Sequence, residues 1–155
     1  MNDNYEITAA ANIRTMHLSD IDRIILIERE IFLFPWSPGN FSDSIKAGYV
    51  CQVLEQDDTL MGYGIMMRSP EEAHVLTLGI AADWQKKGLG KKLLQHFIEY
   101  AKEQAVKSIF LDVRESNHGA AQLYKLMGFH QIATRKGYYP AMCGREDALV
   151  MQLKL

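Results

Sequence analysis

Apolar positions along this chain recur with two periods, and the places where the period changes mark the elements. Ile7 to Met16 reads as a first strand. From Ser19 the period becomes helical: Ile21, Ile24, Ile25, Ile31 and Phe32 form one apolar stripe, with Ser19 as N-cap and Asp22 three residues on. Phe34-Pro35-Trp36-Ser37 breaks that helix, and Ser37-Pro38 opens a short second one with Ser37 as N-cap and proline in the first turn. Tyr49 to Glu55 and Leu60 to Arg68 are strands joined by the turn Gln56-Asp57-Asp58-Thr59. The hinge Ser69-Pro70-Glu71 leads to a strand ending at Ile80. A long helix follows from about Gly88 to Gln104, carrying Leu89, Leu93, Leu94, Phe97, Ile98 and Ala101. Ser108 to Val113 is a strand, and a helix from about Asn117 to Met127 stops at Gly128, a C′ glycine. His130 to Arg135 is a strand, Gly137 to Gly144 a loop, and Ala148 to Leu153 the closing strand.

The order is strand, two helices, three strands, helix, strand, helix, two strands, which is a mixed α/β sheet. The crossover from the Val75 strand over the long helix to the Ser108 strand is parallel and right-handed. At 155 residues the chain makes one domain, residues 1–155, with room for a full core. No repeat, linker or low-complexity tract divides it.

The stretch Leu76 to Lys92, LTLGIAADWQKKGLGKK, carries the first chemistry. A strand, a glycine-bearing turn and a helix form a geometry that holds an anion. The first helical turn offers unpaired N–H groups and a positive dipole end. Lys86, Lys87, Lys91 and Lys92 add positive charge. A P-loop needs Ser or Thr after Lys91, and a dinucleotide fingerprint needs a third glycine where Leu93 sits. Neither is present.

Asp112 lies in IFLDV, near the end of an otherwise apolar strand. It either caps the following turn or does chemistry; burial there would raise its pKa and suit a general base. Asn117 and Tyr124 are two helical turns apart and share a face. Alone, Asn117 reads as an N-cap and Tyr124 as a core aromatic.

Gln85-x-x-Gly88-x-Gly90, LDVRESNHGAAQLYKLMGF, YYP followed by GREDALVM, and Phe34-Pro35-Trp36-Ser37 together resemble the bacterial RimI branch of the GNAT N-acetyltransferases, from about residue 12 to the end. The resemblance implies the GNAT fold, a mostly antiparallel mixed sheet with one central parallel pair, flanked by helices. It implies acetyl-coenzyme A as co-substrate and transfer to the α-amine of a protein N-terminal alanine, that of small-subunit ribosomal protein S-eighteen. Leu78, Gly79 and Ile80 would then offer backbone groups to the pantetheine arm and thioester, and Lys86, Lys87, Gly88, Leu89, Gly90 and Lys91 would cradle the pyrophosphate. Asn117 would bond the pantetheine region. Asp112 falls on the general-base position and Tyr124 on the general-acid position, while Phe34, Trp36, Tyr138 and Tyr139 would wall the peptide channel. One departure stands out: the family's base is Glu, and the Asp112 carboxylate reaches about 1.5 Å less far, so either a bridging water fills the gap or the base lies elsewhere. Other readings of the same residues are acetylation of a lysine or small-molecule amine, a non-catalytic module that senses acyl-coenzyme A, and a nucleotide-binding protein using the same turn.

Composition adds little except exclusions. The chain is 48% apolar and 23% charged with net charge −2, so no basic balance argues for nucleic acid. No apolar run is long enough to suggest a membrane span, and the start lacks the form of a signal peptide. Cys51 and Cys143 lie far apart and read as free thiols in a reducing cytoplasm. The 5 histidines are scattered singly, so no metal site is expected.

Overall fold

The computed structural model describes residues 3–155. Its elements are α1 (Asp3–Ala10), β1 (Asn12–Thr15), α2 (Ile21–Ile31), α3 (Pro38–Lys46), β2 (Val50–Gln56), β3 (Thr59–Arg68), β4 (Glu72–Ile80), α4 (Leu89–Glu103), β5 (Ser108–Arg114), α5 (His118–Leu126), β6 (His130–Pro140) and β7 (Arg145–Lys154). The strands form a 7-stranded sheet in the order β1-β2-β3-β4-β5-β7-β6. The β4–β5 pair is parallel, and β1–β2, β2–β3, β5–β7 and β6–β7 are antiparallel.

Two compact units make up the chain. The first comprises the chain up to Met67 together with Thr77–Phe97. Its core gathers Met16, Ile21, Ile24, Ile25, Phe41, Val53, Tyr63 and Ile65, and a smaller cluster of Ala11, Leu54, Met61 and Leu89 takes in Ile7, Ile13, Ile80 and Trp84. The second comprises Arg68–Leu76 and Ile98–Leu155. There Ile109, Leu111 and Val113 of β5 are buried, alternating with the half-buried Phe110, Asp112 and Arg114. The registered β4–β5 pairs run from Glu72↔Ser108 to Val75↔Leu111, so Leu78, Gly79 and Ile80 lie beyond that register.

Four local expectations need correction. Ile7 to Ala10 belongs to α1, and the first strand is only Asn12–Thr15; a run containing Glu6 and alanines 9 to 11 favours helix over strand. Ser19 is not the N-cap. A 3-10 turn over Leu18–Asp20 precedes α2, and Asp20 accepts the His17 N–H at 2.7 Å. Asp20 is buried, gripped by the two terminal Nη nitrogens of Arg14 at 2.8 and 2.9 Å, which hold its carboxyl far below the usual carboxylate range. The first half of the Gly137 to Gly144 loop is strand: β6 continues to Pro140 after a register shift between Arg135 and Tyr139. For the same reason β7 starts at Arg145 rather than Ala148. Elsewhere the signals hold. Ser37 Oγ accepts the Asn40 N–H at 3.2 Å, with Asn40 Oδ1 accepting from Ser37 N–H in return. Gly128 takes φ +101 and the Phe129 N–H reaches back to the Tyr124 carbonyl, closing α5.

Candidate active site

In the first unit, β4 runs into a 3-10 turn over Ala82–Trp84, and Gln85 Nε2 donates to the Ile80 carbonyl at 2.9 Å, tying the turn to the strand that precedes it. Lys86 and Gly88 both take positive φ, +62 and +84, and α4 starts at the next residue, Leu89. A left-handed non-glycine residue is held by its surroundings rather than by preference. At Gly88 the space for a Cβ exists, with Thr8 Oγ1 3.5 Å away, so glycine is required there by backbone conformation. The turn thus leads straight into the first turn of α4, whose unpaired amides can hold an anion. Lys86 and Lys91 are exposed and Lys87 is half-buried, while Leu89 is buried in the core. Gly90 lies in the first turn of α4.

A part of this turn that sequence reasoning missed comes from α1. Thr8 Oγ1 donates to the Lys87 carbonyl at 2.8 Å. Lys92 Nζ donates to the Thr8 carbonyl at 2.6 Å and to the Ala11 carbonyl. The ammonium of Lys92 therefore serves the carbonyl end of α1, where a cation is favourable. A strand assignment for Ile7 to Met16 concealed that contact.

The end of β4 and the Phe34 to Ser37 segment of this unit meet at a buried carboxylate. A Cβ on Gly79 would lie 2.5 Å from Tyr63 Oη and 3.0 Å from Ile31 Cδ1, so glycine is required there by space. Tyr63 donates its hydroxyl to Glu28 Oε1 at 2.6 Å, and the Trp36 backbone N–H donates to Glu28 Oε2 at 3.0 Å. Burial pushes the Glu28 carboxyl upward against these two bonds, and burial with the Glu28 charge pushes the Tyr63 phenol up strongly. The Trp36 ring packs on Phe41 at 5.2 Å, whereas Phe34 is 38% exposed. Neither Glu28 nor Tyr63 was singled out in the sequence. The available signal was position: Glu28 falls seven residues after Ile21, on the stripe of Ile21, Ile24 and Ile25, and all four are buried.

In the second unit Asp112 is not buried. Its side chain is 29% exposed and pairs with the exposed Arg135 at 3.3 Å. It shares the half-buried face of β5 with Phe110 and Arg114. Tyr124, inward on α5, is 8% exposed, and burial pushes its phenol up to about 12. Asn117 caps α5: its Oδ1 accepts the Ala120 N–H at 3.2 Å, leaving the Nδ2 amide as the group it could offer a ligand. Tyr138 and Tyr139 both lie on β6, edge to face at 4.9 Å. The Arg114 guanidinium lies over the Tyr139 ring at 4.5 Å, and Arg135 lies 5.6 Å from the Tyr138 ring. Burial, then the charge of Asp112, raises the Tyr139 phenol to about 12, with a smaller contribution from Tyr124. In this unit Tyr139 thus lies within electrostatic reach of both Asp112 and Tyr124.

The arm carrying these tyrosines is fixed by ion pairs and backbone bonds. Glu146 accepts from Arg114 at 3.0 Å and from the Ser116 N–H at 2.8 Å, and those bonds hold its carboxyl low. Asp147 accepts the Gly137 N–H at 2.8 Å. Arg145 donates to the Gly137 and Tyr138 carbonyls. The two carboxylates that follow the arm are engaged in shaping it. No cluster of three or more His, Cys, Asp or Glu among the described residues is placed to hold a metal ion. Cys51 and Cys143 are free thiols, one buried and one exposed.

Comparison with known proteins agrees with this geometry. The model of the Acetyltransferase (GNAT) family matches residues 21–129. The ribosomal protein bS18-alanine N-acetyltransferase of Escherichia coli (strain K12) is 32% identical over 143 residues, covering 92% of this chain and 97% of its own. The enzyme of the same name from Haemophilus influenzae is 36% identical over 133 residues, covering 85% and 90%. The crystal structure of the Escherichia coli enzyme superposes with a TM-score of 0.88 at 32% identity, covering 93% of each chain. With the β4–β5 parallel pair inside an otherwise antiparallel set of registered strands, and the glycine turn at the start of α4, the conclusion is direct: the chain belongs to the GNAT family of acetyltransferases.

Proposed function

We propose that this protein transfers the acetyl group of acetyl-coenzyme A to the α-amine of a protein N-terminal alanine, with ribosomal protein bS18 as the substrate. The observation that carries this reading is that relatives named for that activity match 85% or more of the chain at 32–36% identity. The chain works as a single GNAT domain, in the cytoplasm, without a metal. No helix among the described residues is long and apolar enough to cross a membrane, and a net charge of −2 gives no reason to invoke nucleic acid.

In this reading the Lys86–Lys91 turn receives the diphosphate of the cofactor, and the Leu78, Gly79 and Ile80 backbone takes the pantetheine arm and the thioester carbonyl. Asn117 offers its Nδ2 to the pantetheine region. Phe34 and Trp36 in the first unit, and Tyr138 and Tyr139 in the second, are the aromatic side chains this reading assigns to the peptide. An α-amine has a pKa of about 7.7–8.0, so it is largely charged at neutral pH and must lose a proton before it attacks. Asp112 accepts that proton through a water, because its side chain is short. Attack is direct, on the thioester carbon, and backbone donors receive the developing oxyanion. Tyr124 then delivers a proton to the departing sulfur. A phenol raised to about 12 by burial is protonated at neutral pH, as a proton donor must be.

The test is mass spectrometry of a peptide panel incubated with acetyl-coenzyme A. A peptide with a free N-terminal alanine should gain one acetyl group on its α-amine, and a lysine side chain should be far poorer. Equal modification of lysine and α-amine would move the reading to another amine, and no transfer to either would move it to a sensing module.

A further inference from the structure

Glu28 is 2% exposed, and its two oxygens are both occupied by uncharged donors: the Tyr63 hydroxyl at 2.6 Å and the Trp36 N–H at 3.0 Å. No ion pair reaches it among the described residues. Burying a carboxylate without a cation is expensive, and an apolar side chain of that volume would serve the α2 stripe better. What the carboxylate does is join two places. Trp36 lies in the Phe34-Pro35-Trp36-Ser37 segment that follows α2. Tyr63 Oη is the atom nearest to where a Gly79 side chain would begin, 2.5 Å away, so the hydroxyl rests against the β4 backbone at that residue. Tyr63 has no freedom to move aside, being fully buried with its ring edge-on to Phe41 at 5.6 Å.

We propose that Glu28 is a positioning residue for acetyl transfer: one carboxylate fixes the peptide-side backbone at Trp36 and, through the Tyr63 hydroxyl, the thioester-side backbone at Gly79. This rests on the assignment of Trp36 and Gly79 in the preceding subsection. The two donors converging on the carboxylate favour its ionised form, against the burial that pushes its carboxyl upward. The role is separable into halves. Tyr63→Phe removes only the hydroxyl and leaves the Trp36 bond. Glu28→Gln lets its amide oxygen keep the Trp36 N–H while the Tyr63 proton loses its acceptor. Glu28→Ala loses both.

The experiment measures KM for an alanine-terminated peptide, kcat, and the Kd of acetyl-coenzyme A for the wild type and the three variants, with folding checked by melting. Glu28→Ala should raise the peptide KM and lower kcat, each by about tenfold or more, the size of a lost hydrogen bond to a charged group. Tyr63→Phe and Glu28→Gln should lower kcat by about tenfold with the peptide KM within roughly threefold of wild type. The Kd of acetyl-coenzyme A should stay within roughly threefold, since its phosphates are held at the Lys86–Gly88 turn. Wild-type kcat in both the Gln and Phe variants overturns the proposal even if the alanine variant does not fold. So does a fall in kcat that tracks a loss of cofactor affinity in every variant. Amide hydrogen exchange at Trp36 needs no activity: it should be protected in the wild type and at least tenfold faster in Glu28→Gln, where the bond has lost its charge. If the wild type acetylates no peptide but this exchange difference is present, the functional reading fails and the positioning contact stands. If the peptide is acetylated and the exchange is unchanged, the positioning contact fails alone.

Discussion

Two carboxylates, one in each unit, are held in opposite ways. Glu28 at the end of α2 is sealed from water and pinned by two neutral donors. Asp112 on β5 is 29% exposed and pinned by a single guanidinium, itself 54% exposed. The first is out of contact with solvent, and its partners are a backbone amide and a core hydroxyl. The second can release its partner at little cost, because an exposed ion pair contributes about 0–1 kcal/mol and weakens with salt. On the proposed reading the difference is a division of labour: the carboxylate proposed to position the site is buried and fixed, and the one proposed to take a proton stays near water and can change partners.

The sharpest way to break that division is at the acid it requires. Tyr124→Phe keeps the ring that packs on Phe129 at 5.8 Å and removes only the hydroxyl. If Tyr124 delivers the proton to sulfur, turnover should fall by roughly 10²–10⁴ with cofactor affinity little changed. A phenylalanine variant with the wild-type turnover number would reduce Tyr124 to a core aromatic.

A smaller effect, with a pH signature, is expected at Asp112. Asp112→Asn keeps the shape but takes no proton, so peptide acetylation should slow by about 10²-fold near neutral pH. Raising the pH toward 9 should return part of the rate, because the α-amine, pKa about 7.7–8.0, then deprotonates unaided. Asp112→Glu should remain active, and high salt should alter the wild-type rate little, since the exposed Arg135 pair is worth little to begin with. The measurement is the pH profile of kcat/KM for all three proteins. An asparagine variant equal to wild type at neutral pH would make Asp112 a surface partner of Arg135 and nothing more.

The parts of the fold legible in the sequence were those set by local pattern and backbone chemistry. Ser37 with Pro38 and Gly128 after α5 each report a local rule, and each is where the pattern put it. The turn at Gly88 was legible for the same reason, because only a glycine tolerates its φ of +84 cheaply. What pattern could not give was which way a polar residue faces. IFLDV reads as a buried strand with a buried carboxylate, yet strand alternation puts Asp112 on the half-buried side with Phe110 and Arg114. Glu28, by contrast, reads as a polar residue on a helix, yet it occupies a stripe position and points into the core. The extension of β6 to Pro140 was hidden by Gly137 and the double tyrosine, which look like a loop until Arg145 and Asp147 tie the arm down across the sheet. Long-range hydrogen bonds of this kind leave no trace in local spacing.

The smallest expected effect tests whether the first unit's rigidity reaches the cofactor turn itself. Thr8 on α1 donates to the Lys87 carbonyl at 2.8 Å, and Lys92 returns two bonds to the carbonyl end of α1. The turn so held contains Lys86 at φ +62, a conformation a lysine does not choose alone. A brace that stabilises it lowers the part of the binding free energy otherwise needed to order the turn. Thr8→Val keeps the branched shape and removes the donor. One neutral hydrogen bond is worth about 0.5–1.5 kcal/mol, so the Kd of acetyl-coenzyme A should rise by roughly two- to tenfold. The shift in melting temperature at a fixed cofactor concentration should shrink accordingly, because stabilisation grows with the ratio of ligand to Kd. Thr8→Ser retains the hydroxyl and should bind as wild type. Removing the Lys92 ammonium with Lys92→Met should act in the same direction as Thr8→Val and more strongly, because it frees two carbonyls at once. Calorimetric titration of the four proteins with acetyl-coenzyme A decides it. If Thr8→Val and Lys92→Met both bind as wild type does, α1 packs beside the turn without holding it, and the strain at Lys86 must be maintained by α4 and the Gln85 tie alone.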